Sequence, residues 1–255
     1  MVKGLIQFKE YFKNFQDNYI LIGGTACDFW LNQSGLNFRV TKDLDIIIVV
    51  EALNAEFVKQ FWSFIKEGKY LNKQKSTGEK CYYRFSKPEN NDLPEMIELF
   101  SRKIDILEIP ENQHLTPIPI DDDLSSLSAI LMDDDYYSLA LSESRSIDNL
   151  SLLSVNALIC LKAKAFLDLN ERKSNDLHVD TRDIIKHKND VFRLTMSSTE
   201  ADILRIPSSI HDDMSAFLNI SISEPPDWSV IAKNVGINKI NGNEIIDLLK
   251  NKFFK

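Results

Sequence analysis

The sequence predicts an α+β fold, a mixed sheet flanked by helices that is followed by a helical C-terminal domain. Two observations carry this. The first 145 or so residues alternate helical and strand patterns, whereas after about residue 150 only helical spacing is legible. In addition, Asp43 to Val50 contains an unbroken aliphatic run, the mark of a strand buried on both faces in the middle of a sheet. The division expected is therefore 1–150 for the mixed domain and 151–255 for the helical one.

The elements follow in order. Residues 5–18 place Leu5, Ile6, Phe8, Tyr11, Phe12 and Phe15 along one helical stripe. Tyr19 to Ile22 is a short apolar strand stopped by Gly23-Gly24, and Ala26 to Leu31 returns to helical spacing. After a loop marked by Gly35 and Asn37 comes the Asp43–Val50 strand, then an amphipathic helix from Ala55 to Glu67. Lys80 to Phe85 and Met96 to Phe100 read as strands, and the prolines Pro110, Pro117 and Pro119 make Ile104 to Ile120 an extended sheet-edge segment. Helices are expected over Val155–Leu169, Arg182–Leu194, Ser209–Leu218 and Asn243–Phe253, with a short one beginning at Trp228.

Composition narrows the function. At 255 residues and 44% hydrophobic content the chain can bury a real core. It has no apolar run of membrane-spanning length and no signal-peptide pattern at its start, so no membrane association and a cytoplasmic location are expected. Three scattered cysteines suit buried free thiols, and four isolated histidines give no zinc spacing. With a net charge of −8, any nucleic-acid partner must be gripped by a local patch. The most basic stretch, Lys162 to Arg193, is a weak candidate, with a solvated helical face the favoured alternative.

Chemistry points first to Asp43-Leu44-Asp45. Residues i and i+2 of a strand project to one face, so the two carboxylates stand side by side while Leu44 points away. Such a pair is costly to bury unless cations lie between its members, and hard oxygen ligands favour Mg²⁺ or Mn²⁺ together with substrate phosphates. The second feature is Gly23-Gly24-Thr25, where a strand end leads into a helix. Glycines let a ligand approach the backbone, the helix start offers N–H groups to anions, and Thr25 adds a hydroxyl.

A strand, Gly-Gly-Thr, a helix and a strand bearing acid-x-acid together resemble the polymerase-β-like nucleotidyltransferase superfamily. The spacer between Thr25 and Asp43, 17 residues from position 26 to position 42, is longer than usual there, with the extra length in Gln33-Ser34-Gly35-Leu36-Asn37. More narrowly, Gly23-Gly24-Thr25-Ala26 and Arg39-Val-Thr-Lys42-Asp-Leu-Asp45 resemble the AbiEii-type nucleotidyltransferases of bacterial toxin–antitoxin systems. The resemblance is firm over residues 19–50 and looser over Met96–Phe100 and the helices between 155 and 194.

That resemblance implies a nucleotidyltransferase-fold catalytic domain that moves an NMP from an NTP to an acceptor hydroxyl. It further implies Asp43, Asp45 and a third carboxylate as metal ligands, with Glu98 favoured over Asp105 for the third. Gly23, Gly24 and Thr25 would cradle the phosphates, with Arg39, Lys42 or Lys164 neutralising the departing pyrophosphate. Lys162 and Lys164 lie in a segment resembling the family's lysine-bearing helix. Arg182-Asp183 and Lys188-Asn189-Asp190 fall where the family has an Arg/Lys-Asp-x-x-Asp helix, an imperfect match. A tRNA or other RNA acceptor and a cognate antitoxin are the implied partners. A small-molecule transferase of the antibiotic-modifying kind and a non-catalytic nucleotide- or partner-binding module remain the alternatives. Asp121–Asp123 and Asp133–Asp135 lack the glycine and terminal glutamate of a calcium loop and read as solvated loops or helix caps. Lys75-Ser76-Thr77-Gly78 lacks the preceding glycine of a Walker loop.

Overall fold

A computed structural model describes residues 2–74, 80–100, 133–175, 179–198 and 204–254. Asp105, the Ile104–Ile120 segment, Asp121–Asp123 and the Lys75–Gly78 loop lie outside those residues. The chain forms an α+β structure that divides into two compact units.

The first unit holds the described residues within Met1–Ala26, Val40–Met132 and Ser144–Leu153, and it contains the whole sheet. Its strands are β1 (Tyr19–Ile22), β2 (Asp43–Ile48), β3 (Leu71–Gln74), β4 (Lys80–Ser86), β5 (Met96–Phe100), β6 (Ser144–Ile147) and β7 (Leu150–Leu153). They lie in the order β3-β4-β5-β2-β1-β7-β6. The sheet is mixed: β2 runs antiparallel to β1 but parallel to β5, and β1 runs parallel to β7. All four residues of β1 are buried, as are Ile46, Ile47 and Ile48 of β2, which is why β1 and the second half of β2 are continuously apolar.

Helices α1 (Leu5–Phe12) and α3 (Ala55–Glu67) belong to the same unit. Phe8, Phe12, Phe57, Phe61 and Phe64 are nearly or fully buried and form a chain of ring contacts that takes in Tyr19 of β1. Burying an aromatic side chain of this size stabilises by roughly 1.5–3 kcal/mol, so this cluster is a main source of the unit's stability. The Asn54 side chain accepts a hydrogen bond from the Phe57 N–H at 2.8 Å and fixes the start of α3 where the spacing predicts it. The expected helix over 5–18 is shorter. It ends at Phe12, whose carbonyl accepts from the Phe15 N–H at 2.9 Å, and a 3₁₀ turn follows at Gln16–Asn18. Asn14, Asp17 and Asn18 favour turns over helix interiors.

The second unit comprises the described residues within Cys27–Arg39, Asp133–Glu143 and Ser154–Lys255. Its helices are α4 (Asp134–Ser142), α5 (Val155–Ser174), α6 (Thr181–Ser197), α7 (Ser208–Ser223), α8 (Trp228–Val235) and α9 (Gly242–Phe253). Asp133 caps α4, Ser154 caps α5, Asp180 caps α6 and Asp227 caps α8, each accepting backbone N–H groups of the first turn. The acidic run at Asp133–Asp135 is thus a helix start. Phe166 of α5, Phe192 of α6 and Phe217 of α7 meet in this unit's core.

The units are therefore not the two consecutive blocks expected. Residues 27–39 and 133–143 group with the helices, and the β6–β7 hairpin at 144–153 groups with the sheet. That hairpin and α4 are additions to the sequence reading. The turn between β6 and β7 places Asp148 and Asn149 both at positive φ, 55° and 59°, the backbone a tight two-residue hairpin needs. Asp-Asn flanked by short alternating segments is a legible signal of it. Cys27 and Cys160 are buried thiols outside any disulfide. Among the described residues, no helix is long and apolar enough to cross a membrane.

Candidate functional site

The Gly-Gly-Thr and Asp-x-Asp segments are brought together at one end of the two central strands. β1 ends at Ile22, which pairs with Asp45 of β2, so Gly23 emerges beside the start of β2. Helix α2 (Gly23–Gln33) begins there, ahead of the Ala26 start that the spacing suggests. Its opening residues, Gly23–Ala26, group with the sheet unit. The first turn of a helix carries N–H groups without intrahelical acceptors, and these lie beside the carboxylates.

Glycine is required here on steric grounds. Gly23 has φ 61°, and a Cβ at this position would stand 1.7 Å from Asp45 Oδ2. A Cβ at Gly24 would meet Thr41 Oγ1 at 2.7 Å. The backbone thus presses directly on the Asp45 carboxylate. Gly23→Ala is expected to push that carboxylate aside and to add left-handed strain of about 1–2 kcal/mol. The check is a pair of measurements on purified protein, the thermal midpoint and Mn²⁺ affinity, with both expected to fall.

Asp43 and Asp45 are half-buried on one face of β2, and Leu44 between them is fully buried on the other. Thr25 is fully buried, and its hydroxyl donates to the Asp43 carbonyl at 2.9 Å. The hydroxyl proton is therefore engaged in locking α2 onto β2, which makes Thr25 a brace for the carboxylate pair. Glu98 of β5 pairs with Asp45 in the parallel register, so it stands next to Asp45 on the same face. Its carboxylate is joined to Arg84 of β4, whose Nε–H donates to Glu98 Oε1. Among the described residues, no three His, Cys, Asp or Glu side chains gather as a metal-ligand set. Lys42 reaches Glu95 at 3.1 Å, and the Glu95 N–H donates to the Lys42 carbonyl at 2.9 Å. This pairing with Lys42 holds the exposed Glu95 carboxyl below the usual carboxylate range, with Lys3 contributing further.

The remaining cations named from the sequence lie in the helical unit. Arg39 pairs with the fully buried Asp190 of α6 at 3.3 Å. Lys162 of α5 lies 3.3 Å from the same carboxylate and Arg193 of α6 lies 2.8 Å from it. Burial alone would raise the Asp190 pKa, but Lys162, then Arg39 and Arg193, outweigh it and hold the carboxyl below its ordinary value. Nearby His187 is pushed down to about 3 by burial and then by the charge of Lys162, which keeps it neutral at physiological pH. Lys164 is occupied elsewhere, at 3.1 Å from Asp213 and 3.7 Å from Asp168. Asp213 also accepts from the Tyr136 hydroxyl at 2.9 Å. Lys162, Arg193 and Arg84 thus emerge as charged residues whose partners sequence spacing did not reveal. Lys162 alone had a signal, a lysine on an otherwise apolar helix.

Comparison with known proteins finds no matching family model, no matching curated protein and no matching solved structure.

Proposed function

We propose that the chain is a divalent-metal-dependent nucleotidyltransferase, moving an NMP from an NTP to an acceptor hydroxyl. The observation that carries this reading is the Gly23–Asp45 contact: two same-face carboxylates at the end of a central strand, one of them, Asp45, pressed by a helix start whose glycine cannot be replaced without displacing it. A structural ion-pair site has no need of so close a backbone approach. The motif resemblance to AbiEii-type nucleotidyltransferases points the same way.

The residues present fit a divalent ion at Asp43 and Asp45, whose hard oxygens match Mg²⁺ or Mn²⁺. When bound, such ions would neutralise phosphate charge and lower the pKa of the attacking hydroxyl. The chain's own part is to hold and orient. Thr25 braces β2, the Gly23-Gly24 turn lets the backbone close onto Asp45 and Thr41, and the start of α2 favours the negative charge of a phosphate. In the transfer, the acceptor oxygen bonds to the α-phosphorus as the bond from that phosphorus to the bridging oxygen breaks. Pyrophosphate leaves with the electron pair, and the hydroxyl proton passes to a carboxylate of the pair. In the helical unit, three cations around one carboxylate leave an excess of positive charge, which suits a phosphate-bearing ligand.

The test is incubation of the full chain with each α-³²P-labelled NTP, Mg²⁺ and total cellular RNA, then with a panel of hydroxylated small molecules. Label in tRNA supports the toxin-like form of the reading, and label in a small molecule supports the modifying-enzyme form. Tight NTP binding with no labelled product under any condition would replace the reading with a non-catalytic binding module.

A further inference from the structure

The face of the sheet that carries Asp43 and Asp45 continues across two more strands. Asp45 of β2 pairs with Glu98 of β5, and Glu98 pairs with Arg84 of β4, so the three side chains form one row. Glu98 is joined to the Arg84 Nε–H. A guanidinium offers five N–H donors in a planar fork, and this contact uses one of them. Among the described residues the contact of Arg84 is with Glu98 through Nε, which leaves the Nη donors of the fork outside that contact. The Arg84 side chain is about one-third exposed, whereas that of Glu98 is 15% exposed. The carboxylate is thus the anchored member of the pair and the guanidinium the accessible one.

We propose that Arg84 is a phosphate-contacting residue of the nucleotide site and that Glu98 is the positioning residue that holds it, in place of serving as a third metal ligand. This rests on the nucleotidyl-transfer reading and deepens it. A triphosphate is held best by cations with directed donors, and the guanidinium fork suits phosphate oxygens. One oxygen of the Glu98 carboxylate is already engaged by arginine, and among the described residues no three-acid ligand set forms. The rival explanation is that the ion pair only fastens β4 to β5.

Two binding measurements on the full chain separate these. Mn²⁺ affinity is read by electron paramagnetic resonance, and affinity for a non-hydrolysable α,β-methylene NTP in Mg²⁺ is read by calorimetry. The proteins are wild type, Asp45→Asn, Glu98→Gln, Arg84→Ala and Arg84→Lys. Glu98→Gln and Arg84→Ala are expected to keep Mn²⁺ affinity, while Asp45→Asn loses it. Arg84→Ala should weaken analogue binding about tenfold to a hundredfold, the worth of a charge-assisted contact. Arg84→Lys keeps the charge and can still reach Glu98, yet lacks the fork, and it should fail to restore analogue binding. Wild-type analogue affinity in Arg84→Ala would overturn the phosphate role, and loss of Mn²⁺ binding in Glu98→Gln would return Glu98 to the metal. In either case retained Asp45-dependent Mn²⁺ binding leaves the parent reading standing. A wild type that takes up neither Mn²⁺ nor analogue overturns both.

Discussion

Asp45→Asn is expected to remove nucleotidyl transfer while leaving the protein folded, and Asp43→Asn should do the same. Each carboxylate is half-buried at the end of β2, so the amide fits the same space. Replacing one of two adjacent like charges also relieves repulsion, which offsets whatever packing is lost. What disappears is the negative oxygen that, in the proposed reaction, would hold a divalent ion. Ion-assisted charge stabilisation supplies several kcal/mol of the barrier reduction in phosphoryl chemistry, so turnover should drop about a thousandfold or more, equivalent to roughly 4 kcal/mol. The measurement is labelled-NTP transfer by each variant beside its thermal midpoint. Wild-type turnover in both variants would remove these residues from the reaction.

The largest effect on stability is expected from Asp190→Ala. The carboxylate is fully buried with Lys162 at 3.3 Å and Arg193 at 2.8 Å, both themselves buried, and with Arg39 at 3.3 Å. Removing the one anion leaves two buried cations unpaired, a change that typically costs about 3–5 kcal/mol. For a chain of this size that lowers the thermal midpoint by about 10 °C or more. The same cluster sets an acid limit. Asp190 has a folded pKa below its unfolded value, so its contribution is present above the unfolded value and is lost as pH falls through the folded one. His187, also lowered, costs stability earlier. Once the pH drops below about 6.5 the unfolded chain takes up a proton that the folded one refuses down to about 3. Stability should therefore decline from pH 6.5 downwards. The decline should be shallower in His187→Gln, as denaturant titrations between pH 7 and 4 would show. An unchanged slope in that variant would assign the acid sensitivity to other groups.

Where one local force decided the outcome, the sequence was readable. α3 spans Ala55–Glu67 as its spacing predicts, because an asparagine cap and a single apolar stripe agree. β5 likewise matches at Met96–Phe100. The Gly23-Gly24 turn and Asp43-Leu44-Asp45 were also evident, because steric freedom and side-chain alternation are properties of short segments. Partnerships between distant segments were not. Nothing in Arg84 or Glu98 announces that β4 and β5 pair in the register that joins them, and nothing in Arg39 announces Asp190, 151 positions away. Nor does the resemblance that implied a phosphate partner for Lys164 announce its pairing with Asp213 and Asp168. β7, Leu150–Leu153, was missed because Ser151 interrupts its apolar run and helical spacing begins directly after it at Val155.

The placement of β7 bears on how the protein is made. β1, with all four residues apolar or aromatic, pairs on one side with β2 and on the other with β7. During synthesis β2 emerges soon after β1, but β7, Leu150–Leu153, follows β2 only after the long stretch from residue 49 to residue 149. Until then the far side of β1 is an open, apolar sheet edge, the kind of surface that recruits other strands. Nascent chains stalled before Leu150 should therefore be sticky, and chaperone demand should fall once Leu153 has emerged.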